Sequence, residues 1–229
     1  MGDIGENIKS VRGEIARRAA AAGREAGDVV LVAVTKTYGP EAINEAVRNG
    51  VTDIGENKVQ EILDKHGAVL PVNWHMIGHL QRNKVKYVID KVKMIHSVDS
   101  FRLAEEIDRR AGQAGITMDI LVQVNVAEEE SKFGASAAEA AGLIGEILEK
   151  CGNIRVRGLM CMAPFAYDPE EARPYFRQAK AMFDELGKSS HERLDFRYLS
   201  MGMSGDFGVA VEEGASMVRV GTAIFGARG

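Results

Sequence analysis

The sequence has little of what marks secreted, membrane-bound or nucleic-acid-binding proteins. Its 229 residues include only 2 cysteines, too few for a disulfide framework in a chain of this length. No apolar run approaches the roughly 18 residues of a membrane span, and the segment from Met1 to Gly27 lacks the apolar stretch of a signal peptide. Lysine and arginine form no block, and the net charge is −4. We therefore expect a cytoplasmic protein with no membrane partner and no nucleic-acid partner.

What the sequence does contain is a regular alternation of apolar runs and amphipathic segments. The first strong run, Val29 to Thr35, is almost entirely apolar and β-branched, which is typical of a strand buried on both faces. An amphipathic helix precedes it over Ile4 to Ala22. Seven further strands are predicted, each followed by a helical segment, over residues 51–55, 72–77, 94–98, 118–126, 156–161, 196–200 and 217–220.

Eight alternating strands and helices predict a parallel sheet with crossover helices. We expect it to close into a single (β/α)₈ barrel, a TIM barrel over residues 1–229 with one extra N-terminal helix. An open, doubly wound sheet is the alternative. The first strand-to-helix turn, Thr35 to Gly39, does not carry the glycine fingerprint of a dinucleotide-binding version of that fold.

In such a barrel the functional site forms where the strands end at their carboxyl termini. The predicted strands place polar or cavity-lining residues there in chain order: Lys36, Asn57, His79, Asn125, Met162, Ser200 to Ser204, Arg219, Gly221 and Thr222. His75 and His79 are four residues apart but lie across a strand end, so the spacing of a helical metal site does not apply. We therefore expect no metal site, and we place His79 at the barrel mouth.

Lys36 and the two last loops suggest a particular cofactor. A lysine at the end of a buried strand loses solvation, which favours its neutral amine, the form that condenses with a carbonyl; alternatively, Lys36 reaches out to water. Gly221 and Thr222, with the loop from Met201 to Asp206, lie where these barrels often bind phosphate, although each could be an ordinary turn. An aldehyde-binding lysine facing a phosphate site indicates pyridoxal phosphate.

Arg219, at the end of the last strand, can be interpreted in two ways. Facing the pyridine nitrogen, its permanent charge would keep that nitrogen unprotonated and make the ring a weak electron sink. Alternatively, it contacts the phosphate or forms a salt bridge.

Several motifs, distributed over essentially the whole chain, resemble those of the pyridoxal phosphate homeostasis protein family, short relatives of the alanine racemase barrel. They are VAVTK, DIGENKVQE, WHMIGHLQRNK, LVQVN, SKFG, RGLMCM, LSMGMSGDF and MVRVGTAIFG. The resemblance implies a Schiff base at Lys36, Arg219 near the pyridine nitrogen, and Asn57 beside the ring. It places Ser204, Gly221 and Thr222 around the phosphate, with Ser200 nearby.

The resemblance also implies a role in vitamin B6 and amino-acid homeostasis without an established catalytic activity. We expect a monomer or weak homodimer that holds the cofactor and delivers it to pyridoxal-dependent apoenzymes, without robust catalysis. A racemase would need a second base, which relatives take from a separate domain not expected here; Tyr38 is the nearest candidate. A weak pyridoxal-dependent racemase or decarboxylase is the first alternative and a class I aldolase the second. Lys132 is a candidate second docking point for the cofactor.

Overall fold

The computed structural model describes residues 3–127 and 134–226, and Lys132 lies outside them. The described residues contain eight parallel strands that pair in sequence order and close on themselves, since the last strand pairs with the first. This confirms the predicted barrel. The strands are β1 (Val30–Val34), β2 (Asp53–Glu56), β3 (Asn73–Met76), β4 (Met94–Val98), β5 (Met118–Val124), β6 (Ile154–Cys161), β7 (Leu194–Ser200) and β8 (Met217–Val220).

Helices cover the outside of the barrel and alternate with the strands. The extra helix α1 packs against α7 and α8 through a buried stripe that includes Ile8, Val11 and Ile15. The α-helices of the described residues are α1 (Ile4–Ala21), α2 (Pro40–Arg48), α3 (Val59–Lys65), α4 (Phe101–Ala114), α5 (Ala137–Lys150), α6 (Arg173–Leu186), α7 (Phe207–Glu212) and α8 (Thr222–Phe225).

Several segments differ from the sequence-based expectation: β2 begins two residues later than predicted, at Asp53, and β5 ends two residues earlier, at Val124. Arg82–Tyr87 is a 3₁₀ helix rather than an α-helix; its buried residue Val85 is followed by buried Val88, a spacing of three that suits the 3₁₀ period. Strands β6 and β7 each begin two residues earlier than predicted, at Ile154 and Leu194. Ile154 and Leu194 both pair with the neighbouring strand, and each is followed by a half-buried charged residue, Arg155 and Asp195, which interrupts the apolar pattern.

The apolar core has two layers, one between barrel and helices and a smaller one inside the barrel. The inner layer is formed by Val32, Met94, Leu121, Met160 and Met217. It fills only part of the interior, because buried polar residues point into the same space, among them His75, His96, Ser200 and Arg219. Among the described helices, none is long and apolar enough to cross a membrane.

Candidate cofactor site

A cavity of about 280 Å³ opens at the carboxyl ends of the strands. Six of the eight predicted site residues line it, on both sides: Lys36, Asn57, Ser204, Arg219, Gly221 and Thr222. Apolar walls are supplied by Val34, Ile77 and Met162. An amine, a guanidinium, an amide and the hydroxyl-bearing residues Tyr38, Ser204 and Thr222 therefore share the cavity wall with apolar side chains, the usual make-up of a small-molecule site.

The other two predicted residues lie beside this cavity rather than in its wall. Ser200 is fully buried at the end of β7, and its Oγ accepts a hydrogen bond of 2.7 Å from Nη1 of Arg219. His79 lines an adjacent groove of about 490 Å³ that shares Asn57 with the first cavity, and its Nδ1 lies 3.9 Å from Asp99. The structure thus places Ser200 directly behind the site and His79 to one side.

The backbone on both sides of Lys36 is fixed by a network of charged residues. The carbonyl of Thr35 accepts a hydrogen bond of 3.0 Å from Nζ of Lys65, and the Thr35 hydroxyl donates to Glu56 at 2.7 Å. On the other side, the N–H of Thr37 donates to Oε2 of Glu61 at 2.6 Å. Thr37 has φ +72°, an uncommon conformation for a β-branched residue, and this hydrogen bond helps to hold it.

Lys65 is the centre of this network, which we call the lysine-side network (Thr35, Glu56, Glu61, Lys65). Its buried ammonium donates to the Thr35 carbonyl, to Glu56 at 2.8 Å and to Glu61 at 2.7 Å, so all three of its protons are used. Burial raises the pKa of Glu56, against the opposing effects of Lys65 and Thr35. Within the described residues the Lys36 ammonium itself has no hydrogen-bond or ion-pair partner. The backbone is therefore fixed while the side chain stays available.

Arg219 lines the same cavity from β8, the strand that pairs with β1, and it is held quite differently from Lys36. Its Nη1 donates to Ser200, its Nη2 donates to the carbonyl of Cys161 at 2.9 Å, and its side chain is almost completely buried. Burial lowers the pKa of the Arg219 guanidinium below its ordinary value, although an arginine stays protonated in proteins. Burial also raises the pKa of the Cys161 thiol to about 12, so this neighbour is neutral.

The two last loops meet at Ser204. Its Oγ accepts hydrogen bonds from the backbone N–H groups of Gly221 at 3.1 Å and Ala223 at 3.3 Å, which joins the β7 loop to the start of α8. The β7 loop is closed in turn by a 2.6 Å hydrogen bond from the Met203 N–H to Asp206. Because Ser204 accepts both of these hydrogen bonds, its own hydroxyl proton, together with the Thr222 hydroxyl, is the donor that this part of the cavity wall offers to an anionic group.

Two glycines permit this geometry. Gly78 lies against the loop after β2, where an added Cβ would be 2.3 Å from the Asn57 carbonyl oxygen, so no other residue lets Asn57 sit at this rim without a shift. Gly202 has φ +88°, and an added Cβ would approach Ala210 to 2.5 Å. The turn leading to Ser204 therefore depends on glycine.

Sequence reasoning did not identify the supporting residues Glu56, Glu61 and Lys65. Lys65 and Glu61 are four apart on α3, a common surface pairing, and their joint burial against β1 is visible only in three dimensions. In residues 3–127 and 134–226 no cluster of three or more histidine, cysteine or acidic side chains could hold a metal ion.

Comparison with known proteins shows where this barrel belongs. Residues 12–229 match the family model described as alanine racemase, N-terminal domain, so the chain belongs to the class of alanine racemase-like barrels. A relative from Aquifex aeolicus named "Pyridoxal phosphate homeostasis protein" is 44% identical over 97% of both chains. The chain is a member of the pyridoxal phosphate homeostasis protein family, as its motifs indicated.

Solved structures agree. PipY of Synechococcus elongatus PCC7942, determined with PLP bound, is 35% identical, with a TM-score of 0.80 over 93% of this chain and 100% of that one. The same protein without PLP gives a TM-score of 0.87 over 97% of this chain and 100% of that one.

Proposed function

We propose that this protein binds pyridoxal 5'-phosphate in the 280 Å³ cavity and that it holds and delivers the cofactor rather than using it for robust catalysis. The observation that carries the proposal is that Lys36, Arg219 and the Ser204 loop line one cavity. It is supported by the names of the relatives and by the PLP-bound structure of PipY.

The residues present suit the cofactor's chemistry. Pyridoxal phosphate supplies an aldehyde at one end and a dianionic phosphate at the other. Lys36 is the amine that would take the aldehyde as a Schiff base; Ser204, Gly221 and Thr222 would hold the phosphate, and Arg219 would face the pyridine nitrogen. Asn57 would lie beside the ring, with Ser200 and His79 contributing from behind and beside the cavity.

The non-catalytic role is favoured by what surrounds the cavity. Tyr38, the nearest candidate for a second base, donates its hydroxyl to the Gly226 carbonyl at 2.9 Å and stacks on Phe225. A base engaged in this way is not poised to exchange a proton with a substrate. We propose that the chain acts as one domain, in the cytoplasm, as a monomer or weak homodimer that supplies pyridoxal-dependent apoenzymes.

The first experiment is a visible absorption spectrum. Protein mixed with pyridoxal phosphate and passed through a desalting column should keep a yellow band, and Lys36→Ala should lose it completely. Lys84→Ala, which removes a lysine from the adjacent groove, is the matched control and should keep the band. A Lys36→Ala protein with an unchanged band would refute the assignment.

The enzymatic alternatives are separated by two measurements. Incubation with single-enantiomer amino acids in deuterated water should leave the α-position without deuterium if the protein only carries the cofactor, whereas a racemase or decarboxylase would introduce it. Borohydride trapping followed by mass spectrometry distinguishes an aldolase, because the adduct would have the mass of the aldol substrate.

A further inference from the structure

A line of polar side chains crosses the inside of the barrel and ends at Arg219. Nε2 of His75 lies 2.9 Å from Oδ1 of Asp53, and Nδ1 of His75 lies 2.9 Å from Nε2 of His96. Nδ1 of His96 lies 3.3 Å from Oγ of Ser200, which accepts the 2.7 Å hydrogen bond from Arg219. We call these five residues the arginine-side network. It connects the start of β2 to the end of β8.

Every member is buried, with exposures between 0% and 6%. Barrel interiors of this kind are usually filled with apolar side chains, and here the neighbouring interior residues Val32, Met94 and Met217 are apolar. Buried polar groups are costly unless they are hydrogen-bonded, so such a chain is retained only if its members satisfy one another.

The two ends of this network, Asp53 and Arg219, permit only one arrangement of its protons. A guanidinium can only donate, so Ser200 Oγ must accept from Arg219. At the other end an ionised carboxylate can only accept, so neutral His75 carries its proton on Nε2 and accepts at Nδ1. His96 then donates from Nε2 and accepts at Nδ1, which directs the Ser200 hydroxyl proton to His96. From Ser200 to Asp53, each donor therefore finds an acceptor.

The surroundings support neutral histidines and a charged Asp53. Burial lowers the pKa of His75, although the Asp53 hydrogen bond opposes it, and burial lowers the pKa of His96 well below its usual value. Burial alone would raise the pKa of Asp53, but the hydrogen bonds from His75 and Thr52 and the nearby charge of Lys93 outweigh it and lower that pKa.

We infer that Asp53, His75, His96 and Ser200 are positioning residues for Arg219, and that their single proton polarity fixes its guanidinium toward the cavity. Ser200 presents a lone pair rather than its proton to Nη1, because its hydroxyl proton is committed to His96. The Cys161 carbonyl holds Nη2 from a second direction. The consequence for the cofactor rests on the proposed function; the hydrogen-bond chain itself does not.

The proton arrangement of the arginine-side network is tested first in cofactor-free, full-length protein. Long-range ¹H–¹⁵N correlation spectra of ¹⁵N-histidine-labelled protein at pH 7.5 report which ring nitrogen carries the proton. His75→Gln and His96→Gln spectra assign the two signals among the 5 histidines. We expect both rings to be neutral with the proton on Nε2. A proton on Nδ1 of either ring, or a doubly protonated ring, would overturn the inference.

The positioning role is tested with variants of Ser200. Ser200→Ala should move the His96 Nδ1 signal toward that of an unpaired nitrogen, shift the His75 signal beyond it, displace the visible band of added pyridoxal phosphate and weaken its binding about tenfold. Ser200→Thr, which keeps the hydroxyl, should restore all four. Ser216→Ala, which removes a hydroxyl bonded to Leu199 and Arg197 instead, is the control and should change none.

The outcomes separate this inference from the proposed function. If wild-type protein takes up no pyridoxal phosphate, the proposed function fails while the histidine spectra still decide the hydrogen-bond chain. If wild type binds the cofactor and Ser200→Ala matches it in affinity and band position, the positioning role is refuted and the proposed function stands.

Discussion

The two sides of the cavity are supported in opposite ways. The lysine-side network pairs the buried Lys65 with Glu56 and Glu61, and its hydrogen bonds end on the backbone of Thr35 and Thr37. The arginine-side network runs through the barrel interior, carries charge only at its two ends, and terminates on the guanidinium of Arg219. One assembly fixes a backbone and leaves the side chain of Lys36 free to move; the other fixes a side chain.

On the proposed function, this difference suits a protein that both retains and releases a cofactor. A covalent bond to the cofactor would form and break at Lys36, so its amine would need mobility on a defined backbone. Arg219 makes no such bond and serves best when rigid. The following predictions test whether the two supports are as different as their contacts indicate.

The largest effect is expected in the lysine-side network. Lys65→Met leaves the carboxylate of Glu56, which is fully buried, without its ion-pair partner, and should lower the free energy of unfolding by about 3–5 kcal/mol in urea titrations. Lys9→Met, which removes an exposed pair on α1, is the control and should change it far less. The double variant Glu56→Gln/Lys65→Met should recover part of the loss; equal losses at both lysines would show that the network is not buried as described.

The next effect is a pH dependence of the free energy of unfolding that arises from His96 in the arginine-side network. The pKa of His96 is lowered by burial and by the charge of Arg219, so the unfolded chain binds a proton below about pH 6.5 that the folded state refuses. Stability should fall as pH drops from 6.5 to 5, by about 2 kcal/mol for this ring. Urea midpoints measured across this range should show it, and His96→Gln should flatten the curve; a flat wild-type curve would contradict the burial of a neutral ring.

The pH dependence of stability that is linked to Glu56 has the opposite sign to that of His96. Its pKa is raised by burial, so the stability linked to its protonated form is complete below 4.5 and is lost as pH rises through the folded-state pKa. Glu61, in the same network, has a lowered pKa and loses its contribution to stability as pH falls, so only the Glu56 contribution runs opposite to that of His96.

How much of this was visible in the sequence depends on whether a feature is local. The apolar run ending in Lys36 and the loops around Ser204 and Gly221 lie along the chain, and their positions followed from the barrel prediction. The arginine-side network could not be predicted in this way, because Asp53, His75 and His96 lie on three strands and meet only when the barrel closes with the observed register. Each histidine alone looked like an ordinary core or rim residue.

A smaller effect should distinguish the ends of the cofactor. Ser204→Ala removes the hydroxyl that joins the two last loops, and should weaken pyridoxal phosphate binding about five- to tenfold in spectral titrations. Pyridoxal, which lacks the phosphate, should bind wild type and this variant alike. Ser200→Ala should weaken both ligands equally, because Arg219 acts on the ring; the reverse pattern would exchange the two assignments.

The smallest effect concerns strain beside Lys36. Thr37→Gly relieves the positive φ of 72° and should raise the free energy of unfolding by about 0.5–1 kcal/mol, after allowing for glycine's greater freedom in the unfolded chain. The exposed Thr117 has no positive φ, and Thr117→Gly should be destabilising instead. A loss of stability at both positions would show that Thr37 is not strained.

The central claim is that Lys36 is the amine that takes the cofactor opposite Arg219. Borohydride reduction of the protein mixed with pyridoxal phosphate, followed by protease digestion and mass spectrometry, measures this directly. We predict a single stoichiometric phosphopyridoxyl adduct on the peptide containing Lys36. An adduct on another lysine with Lys36 unmodified, or no adduct at all, would contradict the account.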